Sequence, residues 1–144
     1  MLVSHILKAK PNQGVVTIAP DATVADAANL LSTKRIGSIV VSSDGTSAAG
    51  ILSERDIVRE IGKRGPGCLS EAVASMMTAD PVSCTTTDTA DQVLSRMTDG
   101  RFRHMPVIEG GKMIGLITIG DVVKSRLSEL AMEKDALEGM IMGH

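Results

Sequence analysis

Hydrophobic and polar positions follow one order twice along the chain. A short apolar run at 15–18 precedes an amphipathic stretch at 24–33, and two further apolar runs follow at 38–42 and 49–52. From residue 82 the second half repeats this order, and each half closes with another helical pattern. Apolar positions at i, i+3, i+4 and i+7 are typical of a helix face, and short apolar runs between turns are typical of strands. The pattern predicts two strand-helix-strand-strand-helix units of mixed α/β class.

The two units also match residue by residue. Segment 16–42 aligns with 82–108 at one spacing, and 50–58 aligns with 115–123 after a one-residue shift in the turn. A unit of this size must bury its apolar faces against its twin. The duplication therefore predicts one body with pseudo-twofold symmetry and a cleft between the two copies.

Local signals mark where the elements begin and end. Thr23 and Thr89 precede the first helix of each unit at the N-cap position. Three glycines and a proline at 62–67 predict a loop between the units. Segments 3–8 and 73–78 resemble each other, and each is predicted to lead into one unit. The predicted boundaries are repeat one at 3–62, a linker at 63–72, repeat two at 73–128 and a helical extension at 129–144.

The last helix is predicted to outrun its counterpart and to end near Met142. It carries an apolar stripe at helical spacing, formed by Val123, Leu127, Leu130, Leu137 and Ile141. Packing within the molecule and a partner helix explain such a stripe equally well. In the second case a twofold dimer would cover the stripe with its own symmetry mate, so a homodimer is the expected assembly.

Composition narrows the classes of function. Aromatic residues make up 1% of the 144 and the net charge is -2, which argues against nucleic-acid binding through stacking platforms or basic surfaces. No apolar run approaches the roughly 18 residues of a membrane span, and no signal-peptide pattern is present. We therefore expect a cytoplasmic protein without a membrane partner. The two cysteines, Cys68 and Cys84, match no metal or redox motif, so no metal site is predicted.

The candidate chemistry lies at the last strand-to-helix corner of each unit. A hydroxyl residue ends the strand and an aspartate follows three positions later, Ser53 with Asp56 and Thr118 with Asp121. The local explanation is a capping box. The functional explanation is a nucleotide site, because a helix N-terminus suits a phosphate and a carboxylate accepts hydrogen bonds from ribose hydroxyls. Its occurrence in both units favours the functional explanation.

The duplicated corner, Gly-h-h-(Ser/Thr)-x-x-Asp-h-h with h apolar, resembles that of tandem cystathionine-β-synthase-type (CBS) domains, over about residues 3–128. The resemblance implies two small sheets packed by helices and no catalytic domain. It also implies an adenosine ligand in the cleft: AMP, ADP, ATP, S-adenosylmethionine or NAD(H). Phosphate would lie at Ser53 or Thr118, and ribose at Asp56 or Asp121. The base would lie beside Thr17, Ile18, Ser38, Ile39 and Val40, or beside Ser83, Cys84, His104, Met105 and Pro106.

The two corners differ between the hydroxyl and the acid. Copy one has Glu54 and Arg55 there, and the carboxylate of Glu54 disfavours a phosphate unless Arg55 compensates. Copy two has Ile119 and Gly120, and the glycine permits close backbone approach. The second corner is therefore predicted to bind its nucleotide first.

A basic cluster precedes the middle strand of the second copy. Arg101, Arg103 and His104 could reach phosphate oxygens from this position. A solvated loop explains the two arginines as well, and a buried, hydrogen-bonded ring explains the histidine. All of these explanations stay open at the level of the sequence.

Three classes of function are compatible with a chain of this kind to different degrees. Ser53, His104 and Asp121 have the residue types of a hydrolytic triad, but no Gly-x-Ser-x-Gly elbow, paired-carboxylate, HExxH or P-loop pattern occurs. A structural dimerisation module with non-functional sites is the second class. The expected class is a stand-alone regulatory module, not an enzyme, that passes ligand occupancy to a protein target. AMP is its first expected ligand, with NAD(H), ATP and S-adenosylmethionine as alternatives.

Overall fold

The computed structural model describes residues 1–10 and 14–142. These residues contain five α-helices, six strands and two short 3-10 helices. The first half holds α1 (Val3–Ala9), β1 (Thr17–Ile18), α2 (Val24–Lys34), β2 (Ser38–Val41), β3 (Gly50–Ser53) and α3 (Glu54–Arg64). The 3-10 helices Pro66–Ser70 and Val73–Ser75 precede β4 (Thr78–Ala79), α4 (Ala90–Gly100), β5 (His104–Glu109), β6 (Lys112–Thr118) and α5 (Ile119–Ile141).

The strands form two small sheets, one for each repeat, and β4 of the second repeat joins the first sheet. The first sheet has the order β1-β2-β3-β4, in which β1 and β2 run parallel and the other pairs are antiparallel. The second is the antiparallel pair β5-β6, with His104 opposite Thr118. In the first repeat β1 pairs with β2. At the equivalent place in the second repeat there is only a single parallel bridge, between Cys84 and Val107. The predicted α/β class and tandem architecture are confirmed, with the first strand of repeat two reduced to this bridge.

Hydroxyl N-caps start the four longer helices. Thr23 and Thr89 accept backbone N–H bonds of 3.1 and 3.2 Å at the starts of α2 and α4, as the sequence predicts. Ser53 and Thr118 cap α3 and α5 in the same way. Each cap satisfies a donor that the first turn of a helix leaves free, and it fixes where the chain turns from strand to helix.

The leading segments cross between the two apolar cores. Helix α1 places Val3 and Ile6 in the core of the second repeat, among side chains of α4, β5 and β6. Val73 and Met76, which precede the second repeat in sequence, lie in the core of the first. Strand β4 follows Met76 and extends the first sheet. Each segment thus packs on the repeat that it does not immediately precede.

Two glycines at equivalent positions allow this crossing. In β6, a Cβ on Gly115 would stand 2.7 Å from Cδ2 of Leu7, which lies in α1. In β3, a Cβ on Gly50 would stand 2.9 Å from the carbonyl oxygen of Thr78 and closer still to the side chain of Met77. The bare backbone of each strand therefore provides the surface on which the crossing segment lies.

Helix α5 extends beyond the body of the molecule. Only Val122 and Ser125 of this helix are buried. The predicted stripe is exposed, with Leu127 at 62%, Leu137 at 58% and Ile141 at 77%. Packing within the molecule, one of the two explanations of the stripe, is therefore wrong for these side chains. Residues 143 and 144 of the predicted extension lie outside the described residues. None of the described helices combines the length and apolar character that crossing a membrane requires.

Candidate functional site

The corner of the first repeat is a complete capping box. The Oγ of Ser53 accepts a 3.2 Å hydrogen bond from the backbone N–H of Asp56, and the Ser53 N–H donates a 2.9 Å bond to Oδ2 of Asp56. The same Oδ2 accepts from the Ser53 hydroxyl at 2.9 Å. The other carboxylate oxygen, Oδ1, pairs at 2.9 Å with Arg59 one turn along α3. The local capping explanation is confirmed, and the carboxylate is fixed at the start of the helix.

The corner of the second repeat has the same cap and a different cation. Thr118 N–H donates to Oδ2 of Asp121 at 2.9 Å, and Asp121 N–H donates to the Thr118 hydroxyl at 3.1 Å. Lys10 reaches Oδ2 at 2.9 Å and also donates to the carbonyl oxygen of Leu116 at 2.8 Å. Burial alone would raise the pKa of Asp121, but the hydrogen bonds from Lys10 and Thr118 outweigh it and hold this pKa below its usual value.

A cleft of about 740 Å³ lies between the two repeats at the corner of the first. Both copies line it, as the duplication predicts. The predicted site residues that line the cleft are Ser53, Arg55, Asp56, Arg103, His104, Thr118 and Ile119. Gly120 and Asp121 do not line it, so the acid of the first corner faces the open space and the acid of the second does not.

The residues predicted to hold the base do not line this cleft either, apart from His104. Four of them, Ile39, Val40, Cys84 and Met105, are at most 2% exposed, and all but Val40 belong to the two core clusters. Contacts between the base of a ligand and these strand residues remain a prediction. The remaining residues of this set outside the cleft lining are Thr17, Ile18, Ser38, Ser83 and Pro106.

Three arginines give the cleft an unbalanced positive charge. Arg55, Arg101 and Arg103 line it, and none of them has an ion pair within residues 1–10 and 14–142. Glu54 and Asp80 are the lining acids besides Asp56, whose charge Arg59 meets. Guanidinium groups bind phosphate oxygens in a planar, two-bond arrangement. The cleft can therefore hold an anion between donors of both repeats.

His104 stands at the wall of the cleft with a neutral ring. It lies opposite Thr118 in the β5-β6 ladder and is partly buried. Burial lowers the pKa of His104, and the positive charges of Lys10 and Arg103 lower it further, against a smaller opposing effect of Asp56. The ring is therefore uncharged at neutral pH. No hydrogen bond joins His104 to Ser53 or Asp121 in the described chain, so the triad considered from sequence is not assembled.

Sequence reasoning missed part of the cleft wall. Thr78, Asp80, Pro81 and Val82 line the cleft because β4 crosses to the first sheet and carries the following residues with it. Lys10, which pairs with Asp121 and does not line the cleft, was missed for a similar reason, since α1 crosses to the second repeat. The resemblance between segments 3–8 and 73–78 was the available signal, but it does not state on which repeat either segment packs.

The cysteines take no part in the cleft. Cys68 and Cys84 are free thiols, each 2% exposed. Burial raises the pKa of Cys84 to about 11, so this sulfur is a neutral thiol at physiological pH. Within the described residues, no group of three or more His, Cys, Asp or Glu side chains is placed to hold a metal ion.

Comparisons with known proteins agree with the duplicated fold. The mitochondrial CBS domain-containing protein CBSX3 of Arabidopsis thaliana is 36% identical over 127 residues, which span 85% of this chain and 62% of that protein. The crystal structure of a CBS-domain-containing protein of Agrobacterium tumefaciens matches with a TM-score of 0.82 and 40% identity, covering 88% of this chain and 99% of the other.

Two more distant structures share the fold. A CBS domain protein of Pyrobaculum aerophilum, solved in complex with AMP, has a TM-score of 0.77 at 23% identity over 92% of this chain and 99% of its own. The CBS domain pair of protein MJ0100, solved with 5'-methylthioadenosine and S-adenosylmethionine, has a TM-score of 0.76 at 19% identity, over 90% and 98%. The family model of the CBS domain matches residues 3–63 and 73–128. With both repeats matched and the fold shared, this chain belongs to the CBS domain family and carries a tandem pair of CBS domains.

Proposed function

We propose that this protein is a regulatory module that binds an adenine nucleotide, with AMP first, in the cleft between its two CBS domains. One observation carries the proposal: a capped carboxylate, Asp56, lies in the same cleft as three arginines without ion pairs. A carboxylate binds ribose hydroxyls and guanidinium groups bind a phosphate. A cleft that contains both therefore fits a nucleotide, which has a ribose and a phosphate side by side. The related proteins solved with AMP and with S-adenosylmethionine support an adenosine ligand.

The nucleotide would bind across both repeats. Its ribose would take the place of Arg59 on Asp56, an exchange favoured because the Arg59 side chain is 51% exposed. Its phosphate would lie among the arginines, and the helix N-terminus of α3 adds donors there. The base would pack against apolar lining residues, Ile51, Val82 and Ile119. This arrangement reverses the order predicted from sequence, since the open corner is the one that contains Glu54.

Calorimetric titration with AMP, ATP, NADH and S-adenosylmethionine tests the proposal and ranks the ligands. Asp56→Ala should weaken AMP binding by about 2–4 kcal/mol, because one or two charge-assisted hydrogen bonds are lost. Asp26→Ala is the matched control: Asp26 forms the same capping box with Thr23 on α2 but does not line the cleft. Equal affinities of the two variants would contradict the proposed site.

Two other outcomes of the same titration point to the alternative functions. Absence of binding by all four compounds would favour a structural dimerisation module with non-functional sites. Turnover of a nucleotide would favour an enzyme. A regulatory module should bind its ligand reversibly and leave it chemically unchanged. Chromatography of the compound recovered after the titration checks this.

We also propose that the module is a homodimer that signals to a protein target. The exposed stripe on α5 is the surface that supports a dimer, because a second copy presents the same stripe and a twofold axis covers both at once. A ligand that contacts both repeats favours one relative packing over others, and a bound target would respond to that difference.

A further inference from the structure

The carboxylate of the second repeat that the sequence predicts to bind ribose, Asp121, already has a positively charged partner. Lys10 pairs with Oδ2 of Asp121 at 2.9 Å, and its ammonium also donates to the carbonyl oxygen of Leu116 at 2.8 Å. The side chains of Lys10 and Asp121 are each only 23% exposed. Since Oδ2 also accepts from the Thr118 N–H, this oxygen has two donors in place. A ribose hydroxyl could bind this oxygen only by displacing one of them.

The equivalent carboxylate of the first repeat is held differently. Its cation, Arg59, comes from the same helix three positions along, and the arginine side chain is 51% exposed. Exposed ion pairs of this kind contribute little and exchange readily with solvent or ligand. An ammonium that is three-quarters buried and has two acceptors is harder to remove. The two corners therefore have the same cap but differ in how easily a ligand can reach the acid.

The crossing of α1 delivers the lysine to this corner. Lys10 directly follows α1, which is anchored in the core of the second repeat by Val3 and Ile6. The two acceptors of Lys10 belong to Leu116 and Asp121, on either side of Thr118, which lines the cleft, so the ammonium lies near the wall of the cleft. The packing of α1 therefore fixes the backbone of Lys10 close to the second corner.

We propose that Lys10 is an internal substitute for the ligand at Asp121 and closes the second corner, so that the module binds one nucleotide per chain at the Asp56 corner. The inference rests on the proposed function. It makes Lys10 an autoinhibitory residue: a ligand that binds Oδ2 of Asp121 has to detach the ammonium from that oxygen. The two corners, although duplicated in sequence, then differ in occupancy because of one residue outside both motifs.

The test is the stoichiometry of AMP binding by calorimetry. The unaltered protein should bind one AMP per chain, and Lys10→Met should bind two, with the second site tightened roughly tenfold or more because no ammonium competes. Lys8→Met, at an exposed lysine of α1, is the matched control and should bind one. The double variant Lys10→Met/Asp121→Ala should return to one site, which assigns the new site to Asp121.

Other outcomes separate this inference from the proposed function. One site in both the unaltered protein and Lys10→Met would overturn the inference and leave the proposed function standing, and so would two sites in the unaltered protein. Absence of AMP binding by every variant would overturn both. Lys10→Gln guards against a folding defect, because its amide can still donate to the Leu116 carbonyl oxygen while lacking the charge. It should also bind two AMP if its unfolding temperature matches that of the Lys8→Met control.

Discussion

At the scale of single residues, His104 is a group in the cleft wall whose charge we expect a bound anion to change. Burial and the charges of Lys10 and Arg103 hold its pKa below the usual value, so the free protein has a neutral ring at pH 7. A phosphate in the cleft favours the imidazolium and raises that pKa. AMP binding should therefore take up a fraction of a proton and tighten as the pH falls from about 7.5 to about 6.5. Calorimetry in buffers of different ionisation enthalpy measures the uptake.

The control for this prediction is His104→Asn. The phosphate of AMP itself takes up a proton near pH 6, so some pH dependence belongs to the ligand. The His104→Asn variant should retain only the pH dependence that comes from the phosphate of AMP. Identical proton uptake by the variant and the unaltered protein would mean that the phosphate does not approach His104.

Residue spacing predicted the caps and did not predict the cleft. Thr23 with Asp26 and Ser53 with Asp56 have the same spacing and form the same capping bonds, because capping depends on residues three apart. Only the second pair lies in the cleft, and this depends on how the two repeats pack against each other. The partner of Asp121 was beyond prediction for the same reason, since Lys10 is more than a hundred residues away along the chain.

At the scale of elements, the glycines under the crossing segments carry a specific packing role. A Cβ on Gly50 meets the side chain of Met77 and stands 2.9 Å from the backbone oxygen of Thr78, which cannot rotate away. Gly50→Ala should therefore lower the free energy of unfolding by about 1–3 kcal/mol, the usual cost of overpacking, and should loosen β4 from β3. Urea denaturation measures the first effect and hydrogen exchange of β4 amides the second.

Gly62 provides a control of opposite sign. It lies in α3, and a Cβ there would meet nothing within 4 Å. Gly62→Ala should raise the free energy of unfolding by about 0.5–1 kcal/mol, because alanine loses less backbone entropy in a helix. If the free energy of unfolding of Gly50→Ala equalled that of Gly62→Ala, the close packing of β4 on β3 described above would be contradicted.

Element boundaries were predicted well where the pattern is local. Helix α2 was predicted at 24–33 and spans Val24–Lys34, and α5 was predicted to end near Met142 and ends at Ile141. The first strand of the second repeat was predicted as a strand and is reduced to a bridge at Cys84. Periodicity reports whether a segment is helical or extended, whereas ladder length depends on how far a neighbouring strand runs beside it.

At the scale of the whole molecule, the stripe on α5 predicts the assembly. Light scattering at micromolar concentration should report about twice the chain mass of 15.1 kDa. Truncation after Ser128 removes most of the stripe and should weaken the dimer while leaving AMP binding in place. Leu137→Glu should have the same effect, because a charge would be buried in the interface.

A residue on the other side of the helix controls for this change. Met132 is 58% exposed, as Leu137 is, but lies on the opposite face of α5. Met132→Glu should therefore remain dimeric in light scattering. A monomeric mass for the unaltered protein would refute the dimer and leave the stripe for a different partner.

The crossing segments have a consequence for how the chain folds. A polypeptide cut in the loop after Arg64 would give two fragments, and each would hold part of the other fragment's core: Val3 and Ile6 on one side, Val73 and Met76 on the other. Neither fragment could bury its apolar surface alone, so each should be unfolded by itself and fold on mixing, as in fragment complementation. In the intact chain the two domains must then melt in one cooperative transition, although the sequence contains two copies of the unit.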